Sequence, residues 1–220
     1  MAVEMIPDPP GRESAFEPLL DALLPIFCPE WQLPPVMAGE HPHHRCEVKR
    51  YRIGQAAQAD PGAARRHAAQ LLHAAMYDQC RSGIGQLIRP LIDALGHREL
   101  QTAIVTYVQT GADAEKTGAA MAWYWARPGL KYASRDEFRN KVPTPESRAA
   151  QAALSDLRDA YRAACLEAFL TTEDPTARQA LSLWIDRDPG AYPVHLRGSQ
   201  VLAWEIIMAD PELFRSRLQR

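Results

Sequence analysis

The stretch "TGADAEKTGAAMAWYW", Thr110 to Trp125, is echoed by "TTEDPTARQALSLWI", Thr171 to Ile185. Laid over each other without a gap, Tyr107-Val108 falls on Phe169-Leu170, Thr110 on Thr172, Lys116 on Arg178 and Met121 on Leu183. Each copy reads as the end of one helix, a short polar turn, and a second helix that opens with a basic residue. The run "TGAAMAWYWA" is apolar all round, the pattern of a helix enclosed by neighbours on more than one side.

The flanking sequence agrees with a helical reading. Leu154, Leu157, Tyr161, Ala164, Cys165, Ala168 and Phe169 recur at steps of three and four, which gives one long helix a single apolar face with Arg158 and Arg162 outside it. Leu100, Ala103, Ile104, Tyr107 and Val108 form a second stripe. Leu87, Leu91 and Leu95 form a third, with Pro90 placing a kink or an early start inside it. Asp60-Pro61, Asp174-Pro175, Asp210-Pro211 and Thr144-Pro145 each set an N-cap acceptor before a proline at the first helical position, where the missing N–H costs nothing. Ser134 with Glu137 offers a capping box, and Gly83 and Gly96 sit where helix ends are expected. Alternating β-branched runs are absent from Asp60 onward, so the class is all-α.

Ten of the eighteen prolines fall in the first 61 residues, which points to a proline-rich N-terminal arm, residues 1–59, with one short helix near "SAFEPLLDALL". Residues 60–220 then form the helical domain. The net charge of -2 conceals a gradient: residues 1–40 carry one basic and seven acidic side chains, whereas residues 41–100 carry nine and five. An acidic head and a basic stretch of this kind attract each other within a fold. The balance lacks the basic excess of a dedicated duplex-DNA binder. Four scattered cysteines make no disulfide framework, and no stretch approaches the roughly twenty apolar residues that span a bilayer. A cytoplasmic protein with no membrane segment is the expectation.

The two echoing segments, with "EDPTAR" at Glu173 to Arg178 and the looser "GADAEK" at Gly111 to Lys116, resemble HEAT-type helical repeats, whose second helix follows an Asp-Pro turn and begins with an arginine. The resemblance covers Asp60 to Arg220. It implies an α-α superhelix of stacked helical hairpins, an α-solenoid, in which each hairpin buries its apolar faces against the next. It also implies that Lys116 and Arg178 tie acidic turn residues of a neighbouring repeat, for which Asp113 and Asp174 are placed. A spacing of sixty-two residues exceeds the usual forty-odd, and the excess lies in an insertion, Ala126 to Ser147. Such insertions emerge on one face and often carry binding.

Candidate sites follow from residue chemistry. Trp123, Tyr124, Trp125, Arg127, Lys131 and Tyr132 mix aromatic and basic groups suited to stacking bases and holding phosphates, although adjacent helical aromatics point about 100° apart. Trp184 beside Asp186 and Asp188 resembles the aromatic-plus-aspartate cleft of HEAT-like alkylpurine DNA glycosylases. Cys28, His41, His43, His44 and Cys46 are zinc's preferred ligand types, without the Cys-x-x-Cys pair of a standard finger. Neither a Gly-x-Ser-x-Gly elbow nor a His-Glu-x-x-His motif is present. The leading expectation is a non-enzymatic scaffold or adaptor that needs no cofactor and binds a protein partner through its groove or the insertion. The alternatives are a nucleic-acid-binding protein, including a glycosylase-like enzyme, and a helical cap that functions only inside an obligate complex.

Overall fold

A computed structural model describes residues 12–32, 43–78 and 80–219. Among them the chain forms twelve α-helices and two 3-10 turns with no strand. The helices are α1 (Arg12–Phe27), α2 (His44–Ala59), α3 (Pro61–Arg66), α4 (Ala68–Tyr77), α5 (Gly85–Thr110) and α6 (Asp113–Ala126), then α7 (Arg135–Arg139), α8 (Pro145–Ala152), α9 (Ser155–Thr171), α10 (Pro175–Ser182), α11 (Arg197–Ala209) and α12 (Arg215–Leu218).

Most of the caps expected from sequence form, the exception being Asp210, which accepts from Leu213 but is followed by a turn, with the last helix starting only at Arg215. Asp60 accepts from the Ala63 N–H at 2.9 Å, Asp174 from Thr176 and Ala177, and Thr144 from Ser147. Each satisfies amides that the first helical turn leaves unpaired. Where one short helix was expected before Asp60, there are two of sixteen residues, and both contribute to the common core through Phe16, Leu20, Leu23, Ile53 and Ala57.

What hides α2 in the sequence is its pair of buried cations, Lys49 and Arg50, at 2% and 4% exposure. Lys49 reaches Glu17 at 2.7 Å and also pairs with Asp21, while Arg45 lies 3.5 Å from Glu17. Two acids of the head, Glu17 and Asp21, are thus held by the basic stretch. Arg50 donates to Asp78 at 3.0 Å and to the Gln86 side chain at 3.2 Å, which anchors α2 to the turn after α4 and to the start of α5. Such pairing is what makes burial of a cation tolerable.

Helix α5 is broken at Gly96, whose φ of 79° and ψ of 163° lie in a region open to glycine and strained for other residues. Beyond the break, His97 and Gln101 donate to the Ala126 carbonyl at 2.8 and 2.9 Å and so satisfy the C-terminus of α6. Helix α6 packs on α4 and α5, and at Gly118 the α4 backbone comes so close that a Cβ would stand 1.8 Å from the Met76 carbonyl oxygen.

The single long helix expected after Thr144 is two helices. The chain turns at Ala153-Leu154, and Arg98 of α5 holds the turn with paired bonds to Asp156 at 2.8 and 3.1 Å and a further bond to the Ala153 carbonyl. Helix α9 then packs against α5, α10 and α11, and α10 packs also on α6.

Candidate interaction surface

Helix α6 ends because Arg127 takes an extended backbone (φ -77°, ψ 143°) ahead of Pro128, which cannot donate to a continuing helix. The inserted segment that follows is closed at its base by one serine. Buried Ser147, on the first turn of α8, accepts from the Lys131 N–H at 3.0 Å and donates to the Gly129 carbonyl at 3.2 Å. Gln151 adds a bond to the Pro128 carbonyl at 3.2 Å, and the Thr144 N–H donates to the Lys131 carbonyl at 2.8 Å. Between these ties stands α7, capped by Ser134 and closed by Val142 N–H donating to the Glu137 carbonyl. Glu137 reaches back to the Ala133 N–H at 2.9 Å.

This framework exposes apolar side chains. Phe138 is 63% exposed and meets only the edge of Tyr132, at 5.2 Å between ring centroids, among the described aromatic rings. Leu130 and Val142 are exposed on the same segment, and Tyr124 stands out from the last turns of α6 with the Arg127 guanidinium 5.0 Å over its ring. Cations surround them. Among the described residues, no carboxylate pairs with Arg127, Lys131, Arg135 or Lys141, whereas Asp136 is engaged by Arg139 at 3.4 Å.

The sequence-predicted residues divide between this surface and the interior. Arg127, Lys131 and Tyr132 lie on the segment. Trp123 is 5% exposed, in the core. Trp125 is half-buried, donates through its indole N–H to the Arg81 carbonyl at 2.9 Å and carries Arg89 5.1 Å over its ring. Trp184, two residues past the end of α10, packs partly buried against the core, and its aspartates have partners. Asp186 lies 3.6 Å from Arg162 and accepts from the Asp188 N–H, and Asp188 caps the next turn through Gly190.

The expected cation ladder is also replaced. Lys116 lies 3.7 Å from Asp113 of its own turn, and Arg178 donates to the Thr172 carbonyl of its own turn. The link between the two echoing turns is made by Thr172, whose hydroxyl donates to Asp113 at 2.8 Å.

For the metal candidates, His41 lies outside the described residues, and among the described ones no three suitable donors converge. Burial pushes the Cys28 thiol up, as it does that of Cys46, where Glu17 adds to the effect; both changes disfavour the thiolate a metal needs. The residues that sequence reasoning passed over are Phe138, Leu130 and Val142. Their signal was an apolar residue every few positions in a segment with no helix long enough to bury them.

Comparison with protein-family models, with curated proteins and with solved structures finds no match to this chain.

Proposed function

We propose that the protein is a helical scaffold of HEAT-like stacking whose inserted segment captures an acidic, apolar-bearing segment of a partner protein. The observation that carries this reading is the 63% exposure of Phe138 on a segment tied down by backbone bonds rather than loose. An apolar side chain held out in water on a fixed frame spares the backbone ordering cost of docking, and its full burial contributes at most about 1.5–3 kcal/mol before the loss of side-chain freedom. The charge favours an acidic partner, because residues 126–147 hold five basic side chains against three acidic ones.

The HEAT-like part of the proposal is supported by the pairing of helices. The hairpin α5–α6 lies beside the hairpin α9–α10, first helix against first and second against second, with α4 continuing the row of second helices. Lys116 and Arg178 stand at matching places in α6 and α10.

A photo-crosslinking benzoylphenylalanine placed at position 138, with position 167 on the exposed side of α9 as control, tests the function. Discrete protein adducts from position 138 alone, diminished by Leu130→Ser with Val142→Ser and by 0.5 M salt, are expected. Equal adducts from both positions, or a nucleic-acid adduct at position 138, would overturn the reading.

A further inference from the structure

Away from the inserted segment, α2 and α5 flank a groove of about 400 Å³ lined by Tyr51, Gln55, Gln58, Gln86 and Arg89. It is shallow and open to solvent, so a ligand there is held by its polar contacts more than by enclosure. The hydrogen bonds among its walls fix which way two of the three glutamines face. The Gln55 amide pairs with the Tyr51 hydroxyl at 2.6 Å, and because a hydroxyl both donates and accepts, Gln55 can turn either end toward a ligand. Gln58 donates to the Asp93 carboxylate, which leaves its carbonyl oxygen as an open acceptor. Gln86 behaves in the opposite sense, since its side-chain oxygen accepts from Arg50 at 3.2 Å and its NH₂ is left to donate.

Arg89 strengthens the donating end. Among the described residues it makes no hydrogen bond or ion pair, and its guanidinium is steadied 5.1 Å over Trp125, an indole itself fixed by its bond to the Arg81 carbonyl. A stacked guanidinium keeps its N–H edge for an anion, and its planar fork fits a carboxylate. The groove is therefore polarised: donors and positive charge at Gln86 and Arg89, and an acceptor at Gln58, held in place by Asp93 behind it. Gln86 and Arg89 are three residues apart on α5, which places both donors on one wall, and Gln58 stands on α2 opposite.

We infer that this groove binds a peptide-type carboxylate, a carboxylate with an N–H donor group a few bonds away. The carboxylate lies on Arg89 and the Gln86 NH₂, and an N–H group donates to the Gln58 oxygen, with the Gln55 amide turning to meet it. The Tyr51 ring, half-exposed at the rim, forms an apolar wall for a side chain. Two sources share this chemistry, a free amino acid and the C-terminus of a peptide chain. The inference does not depend on the partner surface proposed above.

Side-chain amide and guanidinium resonances of the ¹⁵N-labelled full chain report on the groove directly. The probes are Gly-Gly-Leu as free acid, the same tripeptide as its C-terminal amide, free L-leucine, and inorganic phosphate. Saturable shifts of the Gln55, Gln58 and Gln86 side-chain amides and of Arg89 with the free acid, at least tenfold weaker for the C-terminal amide, are expected. Shifts with the tripeptide alone assign the source to chain ends, and equal shifts with leucine assign it to free amino acids. Arg89→Gln, on an exposed position and checked for folding in the same spectra, is expected to weaken the free acid at least tenfold, with Arg89→Lys intermediate. No shift of these groups up to 10 mM of either acid, equal response to acid and amide, or phosphate binding as well as the acid would overturn the assignment.

Discussion

Tyr161 of α9 lies flat on Trp123 of α6, with ring centroids 4.3 Å apart and planes 4° from parallel, and its hydroxyl donates to the Ala120 carbonyl at 2.9 Å. The contact joins the two echoing hairpins through their largest side chains. It also takes Trp123 out of consideration as a ligand-binding residue, since both rings are 5% exposed. Burial pushes the Tyr161 hydroxyl well above its ordinary range, so it stays a neutral donor.

Removing the tryptophan should therefore act on stability. Trp123→Ala is expected to lower unfolding free energy by about 3–5 kcal/mol, the cost of a large aromatic cavity. Tyr161→Phe keeps the stack and loses only the hydrogen bond, for about 1 kcal/mol. Urea unfolding followed by circular dichroism separates the two, and similar losses in both variants would contradict this division.

Gly118 should not accept a side chain. With the Met76 carbonyl oxygen 1.8 Å from where a Cβ would stand, Gly118→Ala forces α4 and α6 apart. Alanine at an exposed helical position normally stabilises by up to about 1 kcal/mol relative to glycine, so the direction of the effect is diagnostic. The expected result is a clear fall in melting temperature; an unchanged or higher value would show that the crossing is looser than described.

The Arg50–Asp78 pair, both members under 5% exposed, should be costly to break from one side. Arg50→Met removes the cation beside a buried carboxylate and is expected to destabilise by roughly 3–5 kcal/mol. Adding Asp78→Leu should restore part of that loss. A double variant no better than the single one, in guanidinium unfolding, would argue that Asp78 draws its support from elsewhere.

Acid should release α1 from α2. The Lys49 hydrogen bond beside Glu17 holds its carboxyl below the usual glutamate value, against the upward pull of burial, with Arg45 contributing further. A carboxylate depressed in the folded state contributes stability above its unfolded pKa, and that contribution is lost as pH falls through the folded value. The melting temperature of the wild type should exceed that of Glu17→Gln by most near pH 7, and the gap should close below about pH 4. The gap will be modest because Glu17 is 40% exposed and solvent screens the pair. A gap independent of pH would assign the effect to packing.

The helical class and the positions of α3, α8 and α10 were legible because each start is announced by a cap acting on its nearest neighbours, as at Asp60, Thr144 and Asp174. Helix α2 was not legible. Its inward face carries Lys49 and Arg50, which read as solvent residues until Glu17, Asp21 and Asp78 are brought to them from distant positions. The turn at Ala153-Leu154 escaped notice for the same reason, since Arg98 supports it from α5, fifty-eight residues before Asp156. The candidate surface was legible as a segment but not as a set of residues. Composition located Arg127, Lys131 and Tyr132, whereas the outward stance of Phe138 follows from the clasp below it.

That clasp has a consequence for how the protein can change. Because Ser147 closes the segment through the backbone atoms of Gly129 and Lys131, the identity of the side chains in between is nearly invisible to the helices beneath. The loop is in effect an interchangeable cassette on a fixed socket, free to vary in sequence while the body that carries it stays the same.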